Sequence, residues 1–289
     1  MTSWPDLTRR ASFASHQLIG WIFWDPRAKE NLAQLGVPDG LGHYITYRSA
    51  PLAAAGADVV TASFYTIKRE LIQFSLHHAA PHIKDWHTVT AARDAAVLEG
   101  LQELAPEIIK PLGEIANQIW AAVDAIPFEG RILFEAHRTW PRPTEPVLSA
   151  WNALNTIREW RGDTHFAILI SENINVVEAG LLHDAWMGYP KEWIPRSRGA
   201  DDAGIAAALA TLNERGFVTD GVINDAGVAY RQELEDRTDV LCEIPWRTLG
   251  EALTLQMLAI IEPIGSRFVT HIDNTAGDNW MPAARPRRR

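Results

Sequence analysis

The chain has 289 residues, of which 47% are hydrophobic, enough for a sizeable packed core in one large or two modest domains. Its formal net charge of −9 becomes more negative still when Arg285, Arg287, Arg288 and Arg289 at the C-terminus are set aside, so the general surface repels phosphate backbones. The single cysteine, Cys242, excludes an internal disulfide framework and a multi-cysteine metal site. The N-terminal MTSWPDLTRRASF lacks a signal-peptide apolar region, and no uncharged apolar run reaches about 18 residues, so a soluble cytoplasmic protein with no membrane partner is expected.

In chain order, residues 26–35 read as a short helix ending near Gly36, and 42–55 and 57–79 both carry helical spacing. Residues 90–123 read as one or two helices interrupted around Pro106 and Pro111, with Thr90 in an N-cap region. WPRPTEPV, 140–147, holds three prolines, and helix cannot run through it. A long helix is predicted from Pro146 to Ser171, a second from Asn175 to Trp186, and a third from Asp201 to Arg215. Gly216 stops that third helix, FVTDGVI forms a hairpin around Asp220-Gly221, and Asn224 with Asp225 opens another helix. Helix, small hairpin, helix is the wing arrangement of a winged helix-turn-helix.

The division that follows is a helical N-terminal domain over 1–143, a winged-helix-like domain over 144–262, and a C-terminal extension over 263–289 with a disordered Arg tail. The fold class is mainly α with a small β wing, the two domains being packed together.

Several blocks carry a family resemblance: YRSAPLAAAGADVVTASFY (47–65), PVLSAWNALNTIREWRGDTHFAIL (146–169), VVEAGLLHDA (176–185), and RGFVTDGVINDAGVAYRQELEDRTD (215–239) with Pro245-Trp246. With these the chain resembles a family of mostly actinobacterial, MarR-like helix-turn-helix proteins. The resemblance implies a helical N-terminal part before a winged-helix part, and a homodimer, but no particular activity. The family's central motif usually has His where this chain has Trp160.

DNA is disfavoured as a partner on the residues themselves. A recognition helix needs cations and amides for phosphates and base edges. DDAGIAAALATLNERG opens with two acids and holds only Arg215, and the wing tip adds Asp220. Arg231 and Arg237 follow among Glu233, Glu235 and Asp236.

The most informative stretch is IREWRGDTHFAIL, 157–169, on the long helix. Ala150, Leu154, Ile157, Arg161, Thr164, His165 and Ile168 share one face, so Arg161 and His165 interrupt an apolar stripe that Arg158 borders. A buried Arg must be paired. Glu159 and Asp163 point to other sides of the helix, which leaves Glu178 as the internal partner of choice, with His183 on the same segment. Two readings stay open: an internal ion-pair network, or the polar end of a pocket in which Arg158, Arg161 and His165 hold an anionic or polar small molecule. Arg48 is either a second anion contact or a carbonyl cap, and Trp151 is placed near the same interdomain region. The Arg-Gly-Asp tripeptide within this helix is a chance match.

Other chemistry is weaker. His77, His78, His82 and His87 cluster in sequence without a metal-binding spacing, and Pro81 separates His78 from His82. His137 is read as a packed or capping group. His165, His183 and Glu178 would make a metal or haem site if their helices pair. No nucleophile elbow or phosphate loop is present, and Cys242 lies among acids. The favoured role is a small-molecule-binding protein on a MarR-like winged-helix scaffold, with or without regulator activity. The alternatives are an enzyme with His165 as acid/base and a structural or partner-binding module. The residues name no cofactor.

Overall fold

The computed structural model describes residues 3–38, 42–276 and 284–287. Helical structure accounts for 77% of the described residues, with one two-stranded antiparallel sheet. The N-terminal half runs through α1 (Trp4–Gly20), α2 (Pro26–Gln34), α3 (His43–Ser49), α4 (Ala57–Ser63), α5 (Arg69–Ala79), α6 (Trp86–Leu104), α7 (Pro106–Glu114), α8 (Ala116–Ala125) and α9 (Ile132–Arg138). After the proline turn come α10 (Pro146–Ser171), α11 (Val176–Met187), α12 (Trp193–Ser197) and α13 (Asp202–Glu214). The hairpin β1 (Val218–Thr219) and β2 (Val222–Ile223) leads into α14 (Asp225–Leu241). The chain closes with α15 (Glu243–Leu249), α16 (Glu251–Ile261) and α17 (Gly265–Thr275).

The elements after the proline turn follow their local chemistry. Pro146 occupies the first turn of α10, where its missing N–H costs nothing, and the Glu145 side chain accepts from Leu148 N at 2.7 Å. Asp220 and Gly221 have φ of 51° and 73°, the paired positive values that a two-residue type I′ hairpin turn needs. Asn224 caps α14 by accepting from Gly227 N. A Cβ at Gly227 would meet the Phe217 carbonyl oxygen at 2.9 Å, so only glycine lets α14 start against the hairpin.

The N-terminal half departs from its periodicity. The stretch 57–79 is two helices, because residues 64–68 form a turn in which Lys68 N donates to the Arg198 carbonyl. That tertiary bond takes a backbone donor that a continuous helix would need. The stretch 42–55 is α3 followed by a short 3-10 turn, Ala53–Ala55. Asp85, not Thr90, caps α6, and Thr90 sits within the helix. The region 90–123 breaks at Ala105 and Ile115, with Pro111 inside α7.

Two large apolar clusters meet along α10. The first joins α1, α6 to α8, the front of α10 and the closing helices α15 to α17, through residues such as Leu18, Trp151, Trp246 and Phe268. The second joins the end of α10 to α11, α13, α14 and the hairpin through Ile168, Leu182, Leu212 and Leu234. Trp160 is the last α10 residue in the first cluster and Ile168 the first in the second. The charged stretch therefore lies at the seam. Glu251–Thr275 is long and apolar enough by composition to cross a membrane, with a mean hydropathy of 1.2. Here it turns at Glu262–Ile264 and buries Met257, Ile261, Phe268 and Ile272 in the first cluster.

Candidate functional site

The charge on α10 is paired in three dimensions. Glu159, read from the sequence as pointing away, is fully buried and receives Arg48 of α3, with Nη2 to Oε2 at 2.7 Å and Nε to Oε1 at 2.8 Å. Arg158 pairs with the same carboxylate and reaches Asn155 Oδ1 at 3.1 Å. Burial opposes the Glu159 charge, yet Arg158 and Arg48 hold its pKa well below the usual range. Asp163 is buried as well: its carboxylate accepts from Phe134 N, and burial pushes its pKa up to about 7. Arg48 also donates to the Tyr44 hydroxyl at 3.0 Å, so it forms an ion pair rather than a carbonyl cap.

Arg161 crosses to α14, pairing with Glu235 and with Asp239 at 2.8 Å. Arg231 donates to Glu235 Oε2 at 2.8 Å and to His183 Nδ1 at 3.4 Å. Since a guanidinium only donates, His183 carries its proton on Nε2. His165 Nδ1 lies 2.9 Å from Thr238 Oγ1, whose own proton goes to the Leu234 carbonyl. Nδ1–H of His165 is thus the donor, and its Nε2 keeps a lone pair.

These groups wall a cavity of about 550 Å³ bounded by α1, α3, α10, α11, α14 and residues 284–287. Arg48, Arg158, Arg161, Arg198 and Arg231 reach it, as do His16, His165 and His183, and Arg9, Arg285 and Arg287 are also on its lining. Phe23, Trp24, Phe166 and Trp186 supply aromatic faces, and the guanidinium of Arg231 lies 4.7 Å from the Trp186 ring. His16 is exposed to the cavity, whose wall it forms from α1. Burial, then the charges of Arg158, Arg161 and Arg48, push its pKa down to about 3. Burial and Arg231 likewise push His165 to about 3, and His183 falls well below its ordinary value. All three are neutral imidazoles at neutral pH.

Arg198 differs from the other arginines. It follows α12, donates Nη1 to the Thr66 carbonyl at 3.2 Å, and forms no ion pair among the described residues. Its buried Nε has no hydrogen-bond partner, and neither has Nη1 of Arg231. Burial, then Arg48 and Arg231, lowers its pKa. Asp184 is within electrostatic reach, but its carboxylate accepts Ile194 N at 3.0 Å, and burial pushes its pKa up to about 7.

Of the residues singled out in the sequence, Arg48, Arg158, Arg161, His165 and His183 come together at the cavity. Glu178 does not reach it: it forms the capping box of α11, accepting Asn175 N at 3.0 Å. The acids that pair Arg161 are Glu235 and Asp239 instead. Trp151 is also elsewhere, fully buried in the first cluster with Nε1 donating to the Leu18 carbonyl. His137 is packed, its Nδ1 2.8 Å from the Leu133 carbonyl. His87 stacks on Trp140 and His78 on Phe74, and no group of three or more His, Cys, Asp or Glu with metal-binding geometry occurs among the described residues. Burial pushes the Cys242 thiol up to about 12. Sequence reasoning missed His16, Arg198 and Tyr44, and it weighed Arg231 and Glu235 only as charges on a helix disfavouring DNA.

The C-terminal stretch expected to be disordered includes Arg285 and Arg287, which here bond Asp273 and the Trp186 carbonyl. Arg288 and Arg289 lie outside the described residues. On the helix–hairpin–helix face, Asp202 and Asp220 are exposed. Arg215 turns inward, with Nη2 on the Tyr230 hydroxyl at 2.9 Å and the guanidinium 5.2 Å from the Phe217 ring. The profile of a helix-turn-helix family matches residues 8–274. No curated protein and no solved structure matches the chain.

Proposed function

The chain belongs to the helix-turn-helix family, and on that premise we propose that it is a small-molecule-binding protein whose ligand is anionic and occupies the α10 cavity. The observation that carries the reading is the convergence of eight arginines, five of them from α3, α10, α14 and the end of α12, on one aromatic-lined space. Such walls suit a ligand with an apolar body and an acidic group, because a guanidinium fork matches a carboxylate or phosphate. On this reading α11, the hairpin and the helices around it form a MarR-like winged unit. Two of its helices, α11 and α14, wall the cavity. A ligand there touches the unit from inside, which is the arrangement a small-molecule-responsive regulator needs.

Titration with 2-naphthoate and with its neutral analogue 2-naphthalenemethanol, followed by tryptophan fluorescence, tests the reading. Trp186, Trp160 and Trp24 line the cavity and serve as reporters. The acid is expected to bind and the alcohol to bind more weakly. Equal binding of the two, or no binding of either, would remove the reading.

An enzyme remains the second reading, favoured by one observation: His165 is a neutral imidazole whose Nε2 keeps its lone pair at the cavity, the form a general base requires. It requires turnover of a bound ligand that His165→Ala abolishes while leaving the thermal midpoint in place.

A further inference from the structure

The balance of fixed charge around the cavity is uneven. Arg48 and Arg158 share Glu159, and Arg161 and Arg231 share Glu235. Asp239 adds a second acid for Arg161, while Arg9, half exposed on the same lining, has Asp236 as well as Asp239. Arg198 has no acid of its own among the described residues. Of the other arginines on the lining, Arg9 and Arg285 are set against Asp236 and Asp273 and Arg287 is exposed, so the five inner guanidiniums stand against three carboxylates, and the three histidines on the wall add no charge. Asp184, the remaining acid in reach, is tied to Ile194 N.

An excess of buried positive charge is costly unless something compensates it. Two of the uncompensated donors are specific atoms, Nε of Arg198 and Nη1 of Arg231, and the two residues lie within electrostatic reach of each other. Resting on the reading of the cavity as an anion site, we propose that its ligand is a dianion carried on an apolar, aromatic-sized body, with Arg198 and Arg231 holding one end of its charge. A monoanion would leave one of the five inner guanidiniums uncompensated; a dianion neutralises that inner set. Either two separate carboxylates or a single phosphate monoester supplies the charge, since both present oxygen pairs to guanidinium forks. The apolar body faces Phe23, Phe166 and Trp186.

The test extends the naphthalene series with the full chain at neutral pH and constant ionic strength. The probes are 2-naphthalenemethanol, 2-naphthoate, 2,6-naphthalenedicarboxylate and 2-naphthyl phosphate, measured by calorimetry. At least one dianion is expected to bind ~10-fold or more tightly than 2-naphthoate, about the worth of one good charged contact. A preference for the dicarboxylate places the two charges at separate points, and a preference for the phosphate places them on one group; both support the proposal. Arg198→Met and Arg198→Gln are expected to bring the dianion down to the affinity of the monoacid while both variants remain folded by circular dichroism. Equal affinity of the monoacid and both dianions in the wild type overturns the dianion and leaves the anion site standing. Retention of the dianion preference in both folded variants overturns the role of Arg198. Equal affinity of the alcohol and the monoacid, or no binding by any probe, overturns the anion site itself.

Discussion

Arg48 and Glu159, 111 positions apart, form the most buried ion pair among the described residues, with Nη2 and Oε2 at 2.7 Å and both side chains almost wholly buried. Glu159 holds Arg158 as well, so one carboxylate compensates two guanidiniums. Glu159→Gln keeps the shape and removes the charge. Breaking a buried pair by deleting one partner typically costs about 3–5 kcal/mol, and the loss here is expected at the upper end because two cations are stranded. Urea denaturation monitored by tryptophan fluorescence measures it. A change under about 1 kcal/mol, the scale of an exposed pair, would show that the seam is open to water.

Arg198 should behave in the opposite way. It contributes a single hydrogen bond to a backbone carbonyl, against the cost of an uncompensated charge in the seam. Arg198→Met is expected to raise stability by ~1 kcal/mol or more while weakening ligand binding, the trade-off seen where a site is held in a costly state for function. A destabilised Arg198→Met protein would mean that the guanidinium already has a structural partner.

Stability should depend on pH through two opposed sets of groups. His137 and His165 titrate at about 4 and about 3 in the folded chain, against 6.5 when unfolded. Their contribution is complete above pH 6.5 and is lost as pH falls toward their folded values. Asp163 and Asp184 titrate at about 7, against 3.8. Their contribution is complete below 3.8 and is lost as pH rises through 7. Between about pH 4 and 6.5 the two sets oppose each other, so the variants separate them: thermal midpoints measured from pH 4 to pH 8 are expected to shift in favour of the acid side in His165→Gln relative to the wild type, and Asp163→Asn should lessen the loss between about pH 4 and pH 7. An acid limb unchanged in His165→Gln would mean that this imidazole is solvated.

The helix–hairpin–helix face should not bind duplex DNA in the usual docking mode. Asp202 and Asp220 are exposed there, and Arg215 is engaged with Tyr230 and the Glu172 carbonyl. Fluorescence anisotropy with a random-sequence duplex is expected to stay flat at about 0.15 M salt. Micromolar binding that weakens steeply with salt would show that another, cationic surface docks DNA.

The parts of the fold that were legible in the sequence are those with local chemistry. Pro146 and the apolar periodicity give α10 its span, and Asp220-Gly221 between two short apolar runs gives the hairpin. The stretch 57–79 misled because Phe64 and Ile72 are both buried on either side of a turn, and a period does not reveal a break that a tertiary hydrogen bond holds. Within the site, Arg161 and His165 were legible because charge interrupted an apolar stripe. Their partners were not: Glu235 and Asp239 lie 74 and 78 positions beyond Arg161, on a helix whose mixed charges resemble a solvated face. Glu178 was assigned to Arg161 although Asn175 three residues before it is a readable capping signature. His16 carried no local signal, since only the packing of α1 across α10 brings it to the cavity.

The most direct measurement is a crystal structure of the full chain grown with 2,6-naphthalenedicarboxylate. The expected result is ligand density between the aromatic wall and the α10 arginines, with a carboxylate on Arg198 or Arg231 and the Arg48–Glu159 pair intact. A closed seam with no ligand, in which Arg198 has turned to a protein carboxylate such as Asp184, would contradict the anion site.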